Sequence, residues 1–232
     1  MNKMVPISTR MKTIADMVPQ GLSVADIGCD HGFVSIYLVN HRQAPFALAM
    51  DVNEGPLLRA AEHISQYGLE EKIATRLSDG AVKLKQNEVE AAVIAGMGGR
   101  LIIGIISESI DKFKAMKSLV LSPHSDIPMV REFLIQSGFD IQDEEMVYDE
   151  GKYYTIIRCV WDDCHMHLSE EELDYGPVLI QKKHPVLKEY LGHEFEKMTE
   201  IRQKLIDGDS HSERVVEIQK KLERMTEVLK RM

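Results

Sequence analysis

The sequence predicts an α/β fold: a parallel sheet covered by helices, finished by an antiparallel hairpin and followed by a helical tail. Three observations carry this. Five short runs rich in Val, Ile, Leu and Ala, without polar alternation, take turns with helical stretches, as a sheet buried on both faces requires. Two longer strand-like runs, 140–148 and 153–161, flank Asp149-Glu150-Gly151-Lys152, a turn-rich tetrapeptide that reads as a β-hairpin. Beyond Ser169, apolar residues recur at three- and four-residue spacing, the period of a helix.

Each element follows from local signals. A first helix is expected over 9–17, ahead of the breaker Pro19-Gln20-Gly21. Strand one covers 24–27 and its helix 32–40; strand two covers 46–50 and its helix 55–67, stopped by Gly68. Strand three, 73–77, delivers Ser78-Asp79-Gly80. Strand four, 91–95, ends in Gly96-Met97-Gly98-Gly99. Strand five, 118–122, breaks at Pro123, and 127–137 is helical before Gly138. In the tail, Ser169-Glu170-Glu171-Glu172 reads as an N-cap with acids in the first turn. Residues 188–206 carry Leu191, Phe195, Met198, Ile201 and Leu205 as an apolar stripe; residues 212–232 carry Val215, Ile218, Leu222, Met225 and Leu229. With the turn Asp207-Gly208-Asp209-Ser210 between them, the two stripes make the seam of a coiled-coil hairpin.

The totals bound the function. A chain of 232 residues accommodates one α/β domain of about 150 residues and a smaller appendage, expected here as 1–165 and 166–232. The first eleven residues hold no apolar signal core, and runs such as 101–106 fall far short of the roughly 18 residues of a membrane span. Cys29, Cys159 and Cys164 make no even disulfide framework, so the expected compartment is the cytoplasm. A net charge of −9 argues against a general nucleic-acid coat protein. The charge is uneven: residues 1–165 carry 16 Lys+Arg against 23 Asp+Glu, and residues 182–232 carry 12 against 10. Any RNA contact would therefore draw on the tail and on local patches.

The stretch Val24-Ala25-Asp26-Ile27-Gly28-Cys29-Asp30-His31-Gly32-Phe33 reads as a buried strand, a glycine turn and a helix start, with Asp51 closing the next strand. Open parallel sheets hold nucleosides this way: glycines admit the ligand to the backbone and the distal acid takes two ribose hydroxyls. Asp26 and Asp30 around the turn would repel a pyrophosphate but suit a cationic ligand such as S-adenosylmethionine. Both acids also serve as helix-capping groups in the plainer alternative, an ordinary strand–turn–helix. Asp79-Gly80 falls on the same sheet edge, where a carboxylate can accept an adenine amino group; Asp-Gly is also a common turn. Ala95-Gly96-Met97-Gly98-Gly99 reads as a flexible wall where a cofactor's methyl group meets the substrate, with a tight strand-to-helix turn as the plainer alternative, and the absence of a following Lys-Ser/Thr argues against a phosphate loop. Ser122-Pro123-His124-Ser125-Asp126 adds polar groups on that edge. Asp30, His31, His124 and Asp126 are the candidates for stabilising charge or accepting a proton. Cys164-His165-Met166-His167 offers too few ligands for a closed metal site and reads as a linker, so no metal is expected.

Together, Asp26-Ile27-Gly28-Cys29-Asp30-His31-Gly32, Asp51, Ser78-Asp79-Gly80, Ala95-Gly96-Met97-Gly98-Gly99, the Gly151 hairpin and the coiled-coil tail closely resemble the bacterial tRNA (adenine-22-N1)-methyltransferase family. The resemblance implies a Rossmann-like, seven-stranded class I methyltransferase sheet with a C-terminal helical hairpin. It implies S-adenosylmethionine as donor and tRNA as acceptor. Gly28, Asp30 and Gly32 would flank the methionine part, Asp51 the ribose, and Asp79 and Gly80 the adenine, with Asp26, Ala95, Gly96 and Met97 completing the cofactor wall. The chain departs from the family pattern at Ser122-Pro123-His124, where many members carry Gln-Pro-Asn. On the residues alone, two alternatives stay open: a methyltransferase acting on another RNA or a small molecule, and a non-catalytic cofactor-fold interaction protein. So does the oligomeric state, since the tail can close on itself, leaving a monomer, or pair with a second chain.

Overall fold

The computed structural model describes residues 5–41, 43–163, 166–207 and 213–232. They form two compact units, Met1–Met166 and His167–Met232. In the first, the order is α1 (Thr9–Asp16), β1 (Val24–Ile27), α2 (Phe33–Asn40), β2 (Ala47–Asp51), α3 (Glu54–Gln66), β3 (Ile73–Leu77), β4 (Ala91–Met97), α4 (Gly99–Glu108), α5 (Ile110–Lys114), β5 (Ser118–Pro123), α6 (Ile127–Gln136), β6 (Phe139–Asp149) and β7 (Lys152–Trp161). The seven strands make one sheet in the order β3-β2-β1-β4-β5-β7-β6. Strands β1 to β5 are parallel, and β7 runs antiparallel to both β5 and β6. This is the Rossmann-like arrangement that the apolar runs and the hairpin predict.

Burial explains the missing alternation. All four residues of β1 and all six of β5 are buried, because helices cover both faces. Helix α2 is apolar around nearly its whole circumference, and Val34 through Val39 are all buried. The order reverses at β1, which pairs β2 on one side and β4 on the other. A crevice opens at such a reversal, beyond the carboxyl ends of the strands.

The structure extends several elements past their expected ends. Strand β4 continues to Met97, because Gly96 takes a φ of 78° and absorbs a register shift against β5. The hairpin strands reach Asp149 and Lys152, leaving a two-residue turn in which Glu150 and Gly151 have φ of 47° and 80°. Both central residues with positive φ make the tight turn that suits a twisted hairpin. The apolar run 101–106 lies in α4, with Ile102, Ile105 and Ile106 buried.

In the second unit, α7 (Glu170–Tyr175), α8 (Pro177–Gln181), α9 (Pro185–Asp207) and α10 (Glu213–Arg231) follow one another. Ser169 and Glu172 form a reciprocal capping box at the start of α7. Helices α9 and α10 pack together, burying Leu187 and Leu191 from one and Ile218, Leu222, Met225 and Val228 from the other. Arg224 of α10 reaches Asp174 at 2.8 Å and Glu170 at 3.0 Å, fastening α7 to the pair. Helix α9 starts at Pro185, three residues before the expected 188, since proline suits a first helical turn. Asp207 ends α9, whereas the rest of the expected turn, Gly208-Asp209-Ser210, lies outside the described residues, as do Cys164 and His165 of the expected linker. Among the described residues, no helix is long and apolar enough to cross a membrane.

One ion pair is sealed in the first unit. Arg131 of α6 donates from Nε to Glu144 Oε1 of β6 at 2.8 Å, with the two side chains 1% and 0% exposed. Removing one member strands the other's charge in the interior. Glu144→Ala is expected to lower unfolding free energy by roughly 3–5 kcal/mol in urea titration, far more than a surface pair would.

Candidate functional site

The chain leaves β1 through a reversal built on Gly28. The amides of Gly28 and Cys29 both donate to Met50 O, at 2.8 and 3.0 Å. Gly28 achieves this with a φ of 76°, and a Cβ there would collide with Met97 Cε. The turn continues through Asp30 at φ 46° and Gly32 at φ 71°, and α2 begins at Phe33. Asp26, the third residue of β1, looks back at this helix start: its Oδ2 accepts from Ser35 Oγ at 2.9 Å and from Ser35 N at 3.3 Å. The carboxylate thus caps α2 from the neighbouring strand.

Two cavities meet at this turn, sharing Gly28, Ala95 and Gly96 as a common wall. One, of about 280 Å³, is lined by Asp51, Ser78, Asp79, Gly80 and Met97. The other, of about 210 Å³, is lined by Asp26, Asp30, Arg10 and His124. Parallel register sets both. Ile27 pairs with Met50 and Ile94, so Gly28, Asp51 and Ala95 stand together one step beyond. The next strand places Ser78 N on Asp51 O at 2.9 Å. Asn53 N donates to Asp51 Oδ1 at 2.9 Å and fixes that carboxylate at the rim. Met97's thioether, resting on Gly28, lies where the two cavities join. A wider, more open hollow of about 570 Å³ lies beneath the end of α1, at Asp16, Gln20, Asp143, Glu145 and Arg158. It has neither a glycine turn nor a parallel-strand end, and size alone does not make it the site.

The electrostatics are uneven. Asp26 is only 5% exposed, and its pKa rises to about 6 because burial penalises the charge, with nearby Asp51 adding to the rise against the Ser35 hydrogen bonds. Burial likewise pushes the Cys29 thiol well up, so it is no nucleophile. Asp30 is open to solvent and meets Arg59 at 3.0 Å and His31 Nε2 at 3.5 Å. His124, at the end of β5, is held below its ordinary pKa by burial and by the charges of Arg10 and Lys152.

The expected site residues divide accordingly. Asp26, Gly28, Asp30, Asp51, Asp79, Gly80, Ala95, Gly96, Met97 and His124 line the cavities. Gly32 sits just behind, against Ala60. His31 and Asp126 line neither cavity. His31 instead joins Phe33 and His63, its ring centroid 6.0 and 5.5 Å from theirs. Asp126 starts α6 at φ 53°, taking a hydrogen bond from Ser125 Oγ at 2.7 Å and facing Arg100 at 3.6 Å. Arg10 is a cavity residue that the sequence reading missed; no motif marks a lone arginine on a first helix. Among the described residues, no cluster of three His, Cys, Asp or Glu could hold a metal ion.

Known proteins similar to this chain are methyltransferases. Residues 7–157 match the family described as a methyltransferase domain. Over 230 residues the chain is 29% identical to the tRNA (adenine(22)-N(1))-methyltransferase of Bacillus subtilis, covering 96% of this chain and 97% of that protein. Streptococcus pneumoniae Sp1610, solved in complex with S-adenosyl-L-methionine, is 32% identical, with a TM-score of 0.86 over 97% of this chain and all of that one. M. capricolum TrmK, solved with S-adenosyl-homocysteine, is 25% identical, with a TM-score of 0.84 over 97% of this chain and 98% of that one.

The buried carboxylate gives a stability test. An acid whose folded pKa lies above its unfolded value costs the folded state most at pH above both, and the cost fades as pH falls through the folded value. Asp26→Asn is therefore expected to be more stable than the native chain at pH 8, by roughly 1–3 kcal/mol. Chemical denaturation from pH 8 to pH 4.5 should show that advantage shrinking as pH drops through about 6.

Proposed function

Because the chain belongs to the S-adenosylmethionine-dependent methyltransferases of the bacterial tRNA (adenine-22-N1) family, we propose that it methylates N1 of adenine 22 in tRNA, in the cytoplasm. The observation that carries this reading is the pair of cavities joined at Gly28, acidic on both sides and placed where the strand order reverses.

The residues present fit the cofactor. Glycine at 28 keeps side-chain bulk off the wall where a ligand must pass from one cavity to the other. Asp51 would hold the ribose hydroxyls, and Asp79 with Gly80 the adenine. Gly28, Asp30 and Gly32 would flank the methionine end, with Asp26 supplying negative charge toward its cationic groups. When bound, S-adenosylmethionine supplies an electrophilic methyl group.

The protein's own task is then positioning and charge. Adenine N1 carries a lone pair and needs no base to expose it, so no side chain must take a proton before attack. The methylated base is cationic, which the carboxylates of Asp26 and Asp30 favour electrostatically. Asp30 and His124 stand on the cavity wall and are the groups we assign to the acceptor, in preference to His31 and Asp126. Since N1 lies on the pairing edge, the base must leave any pair or stack to reach the cleft.

Methyl transfer from radiolabelled S-adenosylmethionine to unmodified tRNA, followed by nucleoside analysis, tests the proposal. Label in 1-methyladenosine at position 22 is expected; label in another nucleoside, or none despite cofactor binding, would overturn it. Because Asp26 serves as an anion and titrates near 6, cofactor affinity is expected to weaken as pH falls from 7.5 to 5.5 in calorimetric titrations. Asp26→Asn should bind more weakly at pH 7.5 and lose most of that pH dependence.

A further inference from the structure

Arg10 and His124 line the second cavity without a part in holding the cofactor, and Tyr154 packs against both. In the antiparallel pairing of β5 with β7, Leu121 faces Ile157; continuing that register sets position 154 opposite position 124. The two rings are accordingly 5.4 Å apart, tilted by 54°. Arg10 reaches across from α1 and covers both. Its guanidinium carbon lies 4.6 Å from the Tyr154 ring centroid, and Nη1 donates to His124 Nε2. A guanidinium has donors only, so His124 receives this bond on a lone pair. The imidazole is therefore neutral, with its proton on Nδ1, as its burial and its cationic neighbours favour.

The helix does not need that stack to stay in place. Arg10's own amide donates to Asp149 Oδ2 at 3.1 Å, which fixes the start of α1 to the hairpin through the backbone. The guanidinium can leave while α1 remains. A flat cation on an aromatic face occupies the kind of surface on which a nucleobase stacks. Beside that face, the Nε2 lone pair presents an acceptor. Adenine's pairing edge offers a 6-amino donor next to the N1 lone pair, whereas guanine offers a carbonyl oxygen and a protonated N1.

Building on the proposed transfer to adenine N1, we propose that the face of Tyr154 is the platform for the acceptor base and that Arg10 is its place-holder. The target adenine displaces the guanidinium from the ring and donates its 6-amino group to His124 Nε2. The released Arg10 pairs with an RNA phosphate. Guanine is rejected because its carbonyl would oppose the imidazole lone pair.

The test compares Tyr154→Phe, Tyr154→Leu and Arg10→Lys in the full chain. It measures methylation kinetics and affinity for an unmodified tRNA transcript, calorimetric affinity for S-adenosylmethionine, and Tm. Losing a stacked base costs about 1–3 kcal/mol, so Tyr154→Leu should lower tRNA kcat/KM by about 5- to 150-fold. Its cofactor affinity and Tm should stay at native values, and Tyr154→Phe should behave like the native chain. Arg10→Lys keeps the charge for the phosphate but gives up the planar stack that the base must displace, so its kcat/KM should exceed the native value. Native kinetics in Tyr154→Leu would overturn the proposal. So would a parallel loss of activity and Tm in Tyr154→Leu and Arg10→Lys, which would mark the stack as a structural clip. If the native chain forms no 1-methyladenosine, the functional reading fails first and takes the platform with it.

Discussion

At the end of β1 one carbonyl, Met50 O, receives the amides of both Gly28 and Cys29, and the chain can make that double contact only with Gly28 in the left-handed region. The consequences spread outward. The reversal starts α2 at Phe33, close enough for Asp26 to hold Ser35, and it leaves Gly28 as the wall between two cavities. Because β1 is also the strand where the sheet order reverses, its turn stands clear of crossing connections on either side. A side chain at 28 would collide with Met97 and carry a strained backbone as well.

The acidity of the site has a cost and a purpose. Asp26 is kept in the interior against a desolvation penalty large enough to lift its pKa to about 6. A fold selected only for stability would place a neutral group there; functional sites commonly keep such unfavourable charges. In the proposed cofactor cleft a cationic ligand would offset this penalty, since a sulfonium or ammonium beside Asp26 favours the ionised carboxylate. On the acceptor side the sign changes: the Arg10 guanidinium lies beside neutral His124 in the second cavity, and Arg59 and Arg100 pair with Asp30 and Asp126 nearby. A chain with a net charge of −9 can thus offer local cations to an RNA phosphate while presenting carboxylates to its donor.

Much of this arrangement can be read from the sequence, for physical reasons. Strand ends in a parallel sheet converge on one edge, so residues that follow apolar runs, such as Asp51, Asp79 and Gly96, meet even though they are far apart in the chain. Glycine turns announce themselves because few other residues accept their backbone. The middle of the expected stripe, Ile218, Leu222 and Met225, likewise identifies the buried side of α10, while at its C-terminal end Val228 is buried in place of the expected Leu229. What escapes notice depends on long-range register or on burial. Arg10 and Tyr154 meet only because β7 pairs antiparallel with β5 and α1 packs across the hairpin. The extension of β4 to Met97 rests on a bulge at Gly96 that an apolar-run criterion cuts short. His31 sits inside the glycine motif yet turns toward Phe33 and His63, since adjacent positions in a turn point different ways.

In the proposed reaction the two cavities act as one cofactor cleft across Gly28. A crystal structure of this protein with S-adenosylmethionine bound tests that directly. The expected complex has ribose hydroxyls at Asp51, the methionine end beside Asp26 and Asp30, and the Met97 side chain moved off Gly28. A ligand confined to one cavity with Met97 unmoved, or seated in the hollow beneath α1, would contradict it.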